Sequence, residues 1–269
     1  GWHLECSTMS CKYLGEEFDI HGGGMDLIFP HHEAEIAQCY AANKKQAAKY
    51  WMHNNMITIA GQKMGKSLGN FITLDEFFSG THEKLEQAYH PMVIRFFLLQ
   101  AHYRSTVDFS NDALKAAEKG LIRLFSAIQT LKELSPKDKS SIDISAFSSK
   151  CNEAMNDDLN TPIVLSHLFD AVKIINSTKE GKHDLTIEDI EKLKQLFHQY
   201  ALTIFGLCNS EEENNVSDLD GLMSLILDIR HQSKENKDWE TADKIRDRLN
   251  ELNIKIKDTK DGTNWDYKK

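Results

Sequence analysis

The stretch FDIHGGGMDLIFPHHEAEIAQ, residues 18–38, contains three histidines, three consecutive glycines and two glutamates two positions apart. Its apolar start predicts a strand over 18–20, and the glycines predict a turn over 22–24. Pro30 suits the first position of a helix, which the sequence continues through residue 51. NMITIAG, residues 55–61, alternates and is β-branched, so it predicts a second strand. This order predicts an α/β domain with a parallel sheet.

The chain after about Glu83 changes character. Apolar residues recur at helical spacing up to about residue 207, which predicts a bundle of three to five helices. The polar, acidic segment CNSEEENNVSDLDG, residues 208–221, predicts a linker, and two helices and a strand (NIKIKDT, 253–259) are expected after it. The predicted fold class is therefore α/β, then mainly α, with domains over 1–82, 83–208 and 221–269 and a linker over 209–220.

Composition excludes some classes of protein. No apolar run in the 269 residues approaches the roughly 18 residues of a membrane helix, and the N-terminus lacks the features of a signal peptide. It begins abruptly, as if cut from a longer protein. Five scattered cysteines predict a reducing, cytoplasmic setting. The net charge of −9 argues mildly against nucleic acid as a partner. The argument is weak, because phosphate binding depends on local patches of charge and not on the total.

A metal site is one interpretation of the opening stretch. His31 and Glu35 lie four positions apart, on one face of the predicted helix, whereas His32 points about 100° away. A histidine and a glutamate at this spacing more often form a cap or an ion pair. Cys6 strengthens the metal interpretation, because Cys, His and Glu suit zinc, although Cys6 could also be a small buried hydrophobe.

The glycines and a lysine-rich loop offer a second chemistry. HGGGMD does not match the dinucleotide pattern G-x-G-x-x-G, so taken alone it favours a tight turn. GQKMGKSLGN, residues 61–70, places Lys63 and Lys66 between glycines, where mobile ammonium groups suit a polyphosphate. It is not a P-loop, and a solvated loop is the simpler interpretation.

Several motifs together resolve these alternatives. GWHLECSTM, FDIHGGGMDLIFPHHEAEIAQ, YWMHNNMITIAGQKMGKSLGNF and HYRSTVDFS occur in this order, followed by KDWETADKIRDRL and DGTNW. They resemble the cysteinyl-tRNA synthetase family, which belongs to the class I aminoacyl-tRNA synthetases. The resemblance covers essentially the whole chain. It implies the second half of a Rossmann-type catalytic domain, a DALR-like tRNA-binding helical bundle, and a small α+β anticodon-recognition domain.

The resemblance also implies a reaction and its ligands. Cysteine and ATP, with Mg²⁺, give cysteinyl-adenylate, and the cysteinyl group passes to tRNA(Cys). One Zn²⁺ per full-length subunit selects the substrate thiolate against serine. Its implied ligands in this chain are Cys6, His31 and Glu35, the residues already singled out by chemistry. The family's fourth ligand, a cysteine, lies outside the chain, and a monomer is expected.

Further roles come from the same resemblance. Trp2 and His21 match positions around the bound amino acid. The segment near the adenosine corresponds to Gly22, Gly23, Gly24 and Asp26. In the KMSKS-like loop, Lys66 matches the lysine that stabilises charge on the ATP phosphates. Lys63 and Ser67 match the first lysine and the final serine of the family's signature. Gly65 replaces the usual serine, which puts the rigidity of the loop in doubt.

The end of the chain matches the family's anticodon reader at Trp239 and Asp243, and less firmly at Lys234. The alternative is that Trp239 is a core anchor and that Asp243 caps the helix or pairs with Arg246 or Arg248.

The HIGH signature of class I synthetases is missing. HPMV, residues 90–93, occurs too late in the chain to be that motif. The chain is therefore expected to be the C-terminal portion of the enzyme and not to aminoacylate by itself. Two rival functions are the related cysteine ligase of mycothiol synthesis and a non-catalytic tRNA-binding fragment. KDWETADKIRDRL and the basic tail favour the tRNA enzyme.

Overall fold

The computed structural model describes residues 1–236, 238–252, 254–259 and 262–267. The chain divides into two units, Gly1–Cys208 and Asn209–Lys269. Each unit encloses its own cluster of buried apolar side chains. No helix within the described ranges is both long enough and apolar enough to cross a membrane.

The first unit begins with a helix, α1 (Trp2–Leu14), and a β–α–β segment. Strand β1 (Phe18–Gly24) leads through a short turn into α2 (Glu33–Asn43), and β2 (Ala48–Asn54) follows. β1 and β2 pair in parallel, and α1 contacts α2. The predicted parallel α/β arrangement is therefore confirmed.

The predicted glycine turn at residues 22–24 is wrong, because Gly22, Gly23 and Gly24 continue β1. Gly24 is extended, with φ −72° and ψ 153°, and the chain turns only at Met25–Leu27. The absence of a side chain matters at Gly23 for another reason. A Cβ atom there would lie 2.7 Å from Cε1 of the His32 ring. Gly23 therefore allows a close approach between strand and ring.

The predicted helix over residues 31–51 is too long. Phe29 is extended, as expected before a proline, and helical backbone follows it. α2 then ends where Lys44 adopts a left-handed conformation, with φ 58°. The residues from Ala48 onward pair with β1 instead. Pairing with the neighbouring strand thus overrides the helical propensity of the alanine- and lysine-rich sequence.

A second, three-stranded sheet carries the lysine-rich loop. The predicted strand over 55–61 is confirmed as β3 (Ile57–Ile59). It pairs antiparallel with β4 (Gln62–Lys63) and parallel with β5 (Val107–Phe109), which is contributed by a later part of the chain. A short helix, α3 (Leu74–Ser79), follows the loop, and Thr73 and Glu76 form a capping box at its start.

The predicted helical bundle is confirmed, and its helices within residues 83–208 are α4 (Pro91–Leu99), α5 (Asn111–Glu133), α6 (Ala146–Asn156), α7 (Thr161–Lys179) and α8 (Ile187–Phe197). Their apolar faces bury a continuous core that extends from Ile72 to Leu207. α6 and α7 are separated by a tight turn in which Asp158 and Leu159 both have positive φ. The core of the first unit thus lies mainly in the bundle.

The second unit contains α9 (Ser210–Glu235), α10 (Trp239–Glu251) and the antiparallel strands β6 (Ile254–Thr259) and β7 (Gly262–Tyr267). The predicted linker over 209–220 is wrong, because α9 begins at Ser210. That segment contains no proline, and its early run of glutamates is favourable at a helix N-terminus. The predicted helices are otherwise confirmed, as is the predicted strand over 254–259, while its first residue, Asn253, lies outside the described residues. β7 was not predicted.

Candidate active site and metal centre

Three potential metal ligands converge between α1 and α2. The sulfur of Cys6, a ring nitrogen of His31 and a carboxylate oxygen of Glu35 all lie within 4.8 Å of one another. Cys6 comes from α1, His31 lies in the short helical segment Ile28–His32 that leads into α2, and Glu35 lies one turn later in the first turn of α2. The structure therefore brings together the ligand set predicted from the sequence.

Glu35 shows that this grouping suits a cation. Its side chain is buried, and Nε2 of His31 lies 2.8 Å from its Oε1. This contact lacks hydrogen-bond geometry, and Oε1 has no hydrogen-bond partner among the described residues. A buried carboxylate oxygen without a donor is costly. His31 and Glu35 are thus at ion-pair distance, as the alternative interpretation expected. A ring nitrogen and a carboxylate oxygen this close, with a thiol nearby, are also a donor set that fits a zinc ion.

The electrostatics of Cys6 support the same fit. Burial and the nearby carboxylate of Glu35 raise the pKa of the Cys6 thiol. A thiolate is therefore disfavoured beside this carboxylate unless positive charge is added. A divalent cation would remove that obstacle, because coordination favours the deprotonated thiol.

The second oxygen of Glu35 faces a different group. Nε2 of His21, on β1, lies 3.5 Å from Glu35 Oε2. The contact leaves Oε1 directed at His31. Histidine and carboxylate partners outside the ligand set commonly orient metal ligands in this way. His21, His32 and Glu35 also form a second possible ligand group that shares the same carboxylate.

The predicted amino-acid-binding residues lie next to this centre. The ring of Trp2 lies 4.2 Å from the His31 ring, measured between centroids, and 59% of Trp2 is exposed. His21 stacks on Trp51 of β2 at 4.5 Å. Trp2 and His21 therefore flank the three ligands from two sides, and their role in binding a substrate stays a prediction.

Three residues in this cluster were not predicted from the sequence. Nδ1 of His32 lies 2.8 Å from Nε2 of His53, and Trp51 contacts His32. Burial, reinforced by His21, His53 and His31, lowers the pKa of His32 to about 4. Trp51 and His53 are two residues apart on β2, so they share one face of that strand. This alternation was the available signal, but the expected helix over 31–51 concealed it.

The glycine strand borders a cavity of about 970 Å³. Gly22 and Gly23 line it together with Met52, Asn54 and Ile57. The cavity places the backbone predicted to lie near the adenosine at an open surface, where a ligand could approach closely. Asp26 follows the strand, outside this lining.

The lysine-rich loop is closed at its base by Asn70. The buried side chain of Asn70 accepts a hydrogen bond from the Gly65 amide and donates one to the Lys63 carbonyl oxygen. Gly65 is extended, with φ −163°, so any residue could adopt this conformation. The loop at this point is therefore held by Asn70, and the glycine substitution does not leave it unsupported.

The two lysines occupy different positions around that base. Nζ of Lys63 lies 4.0 Å from Asp26 Oδ2, so the loop reaches the turn after the glycine strand. Lys66 begins a short 3₁₀ turn that includes the exposed Ser67, and its ammonium group lies over the Phe71 ring. Lys63, Lys66, Asp26 and the glycines thus belong to one region of the first unit.

The predicted anticodon residues lie in the second unit. Trp239 and Asp243 are one turn apart at the start of α10, and Lys234 is in the last turn of α9. Trp239 is 60% exposed, so the alternative that it is a core anchor is wrong. Asp243 pairs with Arg246 at 2.9 Å, as the alternative interpretation expected. A role in recognition stays a prediction.

Comparisons with known proteins identify both parts of the first unit. Residues 1–119 match the model of the tRNA synthetases class I (C) catalytic domain, and residues 150–209 match the DALR domain. The chain is 58% identical over 271 residues to a cysteine–tRNA ligase from Parabacteroides distasonis. It is 57% identical over 274 residues to that from Bacteroides fragilis. All of this chain is covered in both cases, but only 55% of each relative.

A solved structure shows a weaker likeness. The crystal structure of an Agrobacterium radiobacter K84 LeuRS–tRNA–LeuAMS complex aligns with a TM-score of 0.49 and 16% identity, covering 71% of this chain and 27% of that one. The sequence matches carry the assignment. The chain belongs to the class I aminoacyl-tRNA synthetases and, within them, to the cysteine–tRNA ligase family.

Proposed function

We propose that the protein containing this chain ligates cysteine to tRNA(Cys) through a cysteinyl-adenylate formed from ATP. The chain spans about 55% of the length of its relatives, and it contains no HIGH signature. We therefore propose that it does not aminoacylate by itself. The observation that carries the first proposal, ligation of cysteine, is the buried Oε1 of Glu35, which faces His31 Nε2 without hydrogen-bond geometry.

The metal centre gives the protein its choice of amino acid. Cys6, His31 and Glu35 would hold Zn²⁺, which when bound supplies a soft Lewis acid that prefers a thiolate to a hydroxyl. His21 orients Glu35 through its second oxygen. Trp2 covers one side of the His31 ring. Such a site selects cysteine over serine by bonding, since packing alone cannot strongly reject an isostere.

The lysine-rich loop supplies the electrostatics of adenylate formation. Lys66 would stabilise the negative charge that develops on the phosphates as pyrophosphate leaves. Lys63 starts on the same loop and reaches towards Asp26. The open backbone at Gly22 and Gly23 would admit the adenosine. The DALR domain match supports tRNA as the second substrate.

Cysteine-dependent exchange between ATP and pyrophosphate, measured in the full-length protein, tests the proposal. Lys66→Ala should lower the maximal exchange rate by about 10²–10³-fold, because the lysine acts on charge formed in the transition state. The Michaelis constant for cysteine should change little. Lys150→Ala, at an exposed position on α6, is the matched control and should leave the rate unchanged.

Two results would contradict the proposal. Equal exchange with serine and cysteine would remove the metal centre from amino-acid selection. An unchanged maximal rate for Lys66→Ala would remove this loop from the reaction.

A further inference from the structure

Asp108 makes a specific contact with the hairpin that precedes the lysine-rich loop. It lies on β5, directly opposite Thr58 of β3. A single carboxylate oxygen, Oδ1, accepts hydrogen bonds from Thr58 Oγ1 at 2.6 Å and from the Gly61 amide at 2.8 Å. These two bonds lower the pKa of the Asp108 carboxyl, so it is ionised at neutral pH. Asp108 thus joins β5 to the turn between β3 and β4.

That turn is not well specified by its own residues. Ile59 pairs with Gln62, which leaves Ala60 and Gly61 as the two turn residues. Their φ values are 51° and 75°. Two-residue hairpin turns with both residues at positive φ favour Asn-Gly or Asp-Gly, and alanine is strained there. An acceptor from outside the hairpin therefore helps to hold this turn.

The turn determines where the lysine-rich loop begins. β4 ends at Lys63, whose carbonyl oxygen accepts a hydrogen bond from the side-chain amide of Asn70. The side-chain oxygen of Asn70 in turn accepts a hydrogen bond from the backbone amide of Gly65, which directly precedes Lys66. A change in the direction of the hairpin would therefore move the base of the loop and both lysines with it.

We propose that Asp108 is a positioning residue for the lysine-rich loop, acting through the Ala60–Gly61 turn. This inference rests on the proposed function, because it assigns the loop a task in adenylate formation. Asp108 itself does not contact substrate in this role. Its carboxylate fixes the direction from which Lys63 and Lys66 approach the phosphates.

Amide hydrogen exchange in this chain tests the structural part without any assay of activity. Asp108→Ala removes the acceptor, so the Gly61 and Gly65 amides should exchange about ten-fold faster, as expected for the loss of a hydrogen bond to a charged group. Asp108→Asn keeps an oxygen at Oδ1 and should preserve most of the protection. If the Gly65 amide exchanges at the wild-type rate in Asp108→Ala, the link to the loop is wrong.

Pyrophosphate exchange in the full-length protein tests the functional part. Asp108→Ala should lower kcat about ten-fold with an unchanged KM for cysteine, and Asp108→Asn should restore kcat to within about two-fold. Asp170→Ala is the control, because Asp170 is a half-exposed aspartate of the bundle that pairs with Lys173.

The outcomes separate this inference from the proposed function. Faster exchange of the loop amides together with an unchanged kcat would overturn the positioning role and leave the proposed function intact. If Asp108→Ala and Asp108→Asn lose kcat to the same extent, and their melting temperatures also fall to the same extent, Asp108 is a purely structural residue and the positioning role is overturned. A Lys66→Ala enzyme with full activity would contradict the proposed function, while the amide measurements would still decide whether Asp108 holds the loop.

Discussion

The helical bundle and the proposed metal centre both contain buried residues, but of opposite chemistry. In the bundle, the fully buried side chains include Phe96, Leu114 and Leu124, which are apolar and pack on one another. Between α1, α2 and β1, the buried side chains include His31, His32 and Glu35. The bundle buries apolar side chains, whereas the region between α1, α2 and β1 buries ionisable and polar ones.

This difference separates stability from function within one unit. Burial of apolar surface is the main favourable contribution to folding, so the bundle should supply most of the stability. Buried polar groups contribute most when they are hydrogen-bonded, and Glu35 Oε1 has only the His31 contact at 2.8 Å, which lacks hydrogen-bond geometry. We therefore expect substitutions in the bundle to unfold the protein and substitutions in the metal centre to alter binding at nearly constant stability.

The largest expected effect is that of Phe96→Ala on stability. Phe96 of α4 packs against Phe169, and its ring approaches Gly120 closely. Truncation would leave a cavity where these helices meet, so the free energy of unfolding should fall by about 3–5 kcal/mol. Urea unfolding followed by circular dichroism measures it.

The control for that prediction is a large apolar residue outside the core. Ile122 of α5 is 64% exposed, so Ile122→Ala should change stability by no more than about 0.5 kcal/mol. Similar losses in both variants would mean that the bundle core does not dominate stability.

Glu35→Gln should show the opposite behaviour. It removes the charge and one strong ligand oxygen, so zinc affinity should fall by at least about 100-fold. Without zinc, unfolding should be little affected, because the wild-type carboxylate is buried without a hydrogen bond on Oε1. Competition with a chromogenic chelator measures the affinity, and thermal unfolding in the presence of EDTA measures the stability.

Glu33→Gln is the matched control for Glu35→Gln. Glu33 lies on the same helix but is exposed, so its substitution should leave zinc affinity unchanged. A marked loss of stability in metal-free Glu35→Gln would contradict the contrast between the two regions, because it would make Glu35 a structural residue.

The same contrast explains which parts of the fold the sequence predicted. The bundle helices follow from apolar residues at helical spacing, because burial of one face dictates that pattern. The segment 22–24 was misassigned, because a glycine needed for contact with the His32 ring looks in sequence like a glycine needed for a turn. β2 was misassigned as helix because its pairing with β1 is a tertiary effect.

Site residues were predictable to the extent that their chemistry is local. His31 and Glu35 lie on continuous helical backbone, so their spacing alone brings them together, and Cys6 was added because its chemistry suits zinc. Trp51, His53 and Asp108 act through contacts with distant segments; the alternation of Trp51 and His53 indicates a shared strand face but not the partners of that face. Resemblance to the family supplied the roles of Trp2 and Lys66, which geometry alone does not assign.

The smallest expected effect on stability concerns the second unit. There the relevant side chains are an exposed ion pair, and neither apolar nor polar burial is involved. Asp243 contacts Arg246 on the surface of α10, and Trp239 exposes 60% of its area one turn earlier. Exposed ion pairs on a helix contribute only about 0.3–0.5 kcal/mol, so Asp243→Ala should barely change the melting temperature.

The same side chains could instead recognise a base. A base can stack on the Trp239 indole and donate hydrogen bonds to the Asp243 carboxylate. In the full-length protein, Asp243→Ala should therefore weaken discrimination among anticodon variants of tRNA(Cys) while cysteine-dependent pyrophosphate exchange continues at the wild-type rate.

Glu251 provides the control for Asp243, because it pairs with Arg248 at the same spacing, 2.7 Å apart, near the far end of α10. Glu251→Ala loses a comparable surface pair but should leave anticodon preference unchanged. Aminoacylation of anticodon-variant tRNAs by both enzymes, with melting temperatures measured alongside, distinguishes recognition from stability. If Asp243→Ala and Glu251→Ala discriminate among the tRNAs equally well, the exposed face of α10 stabilises the helix and does not read the anticodon. If only Asp243→Ala loses discrimination, function in the second unit depends on exposed side chains, in contrast to the buried polar side chains that we propose for the metal centre.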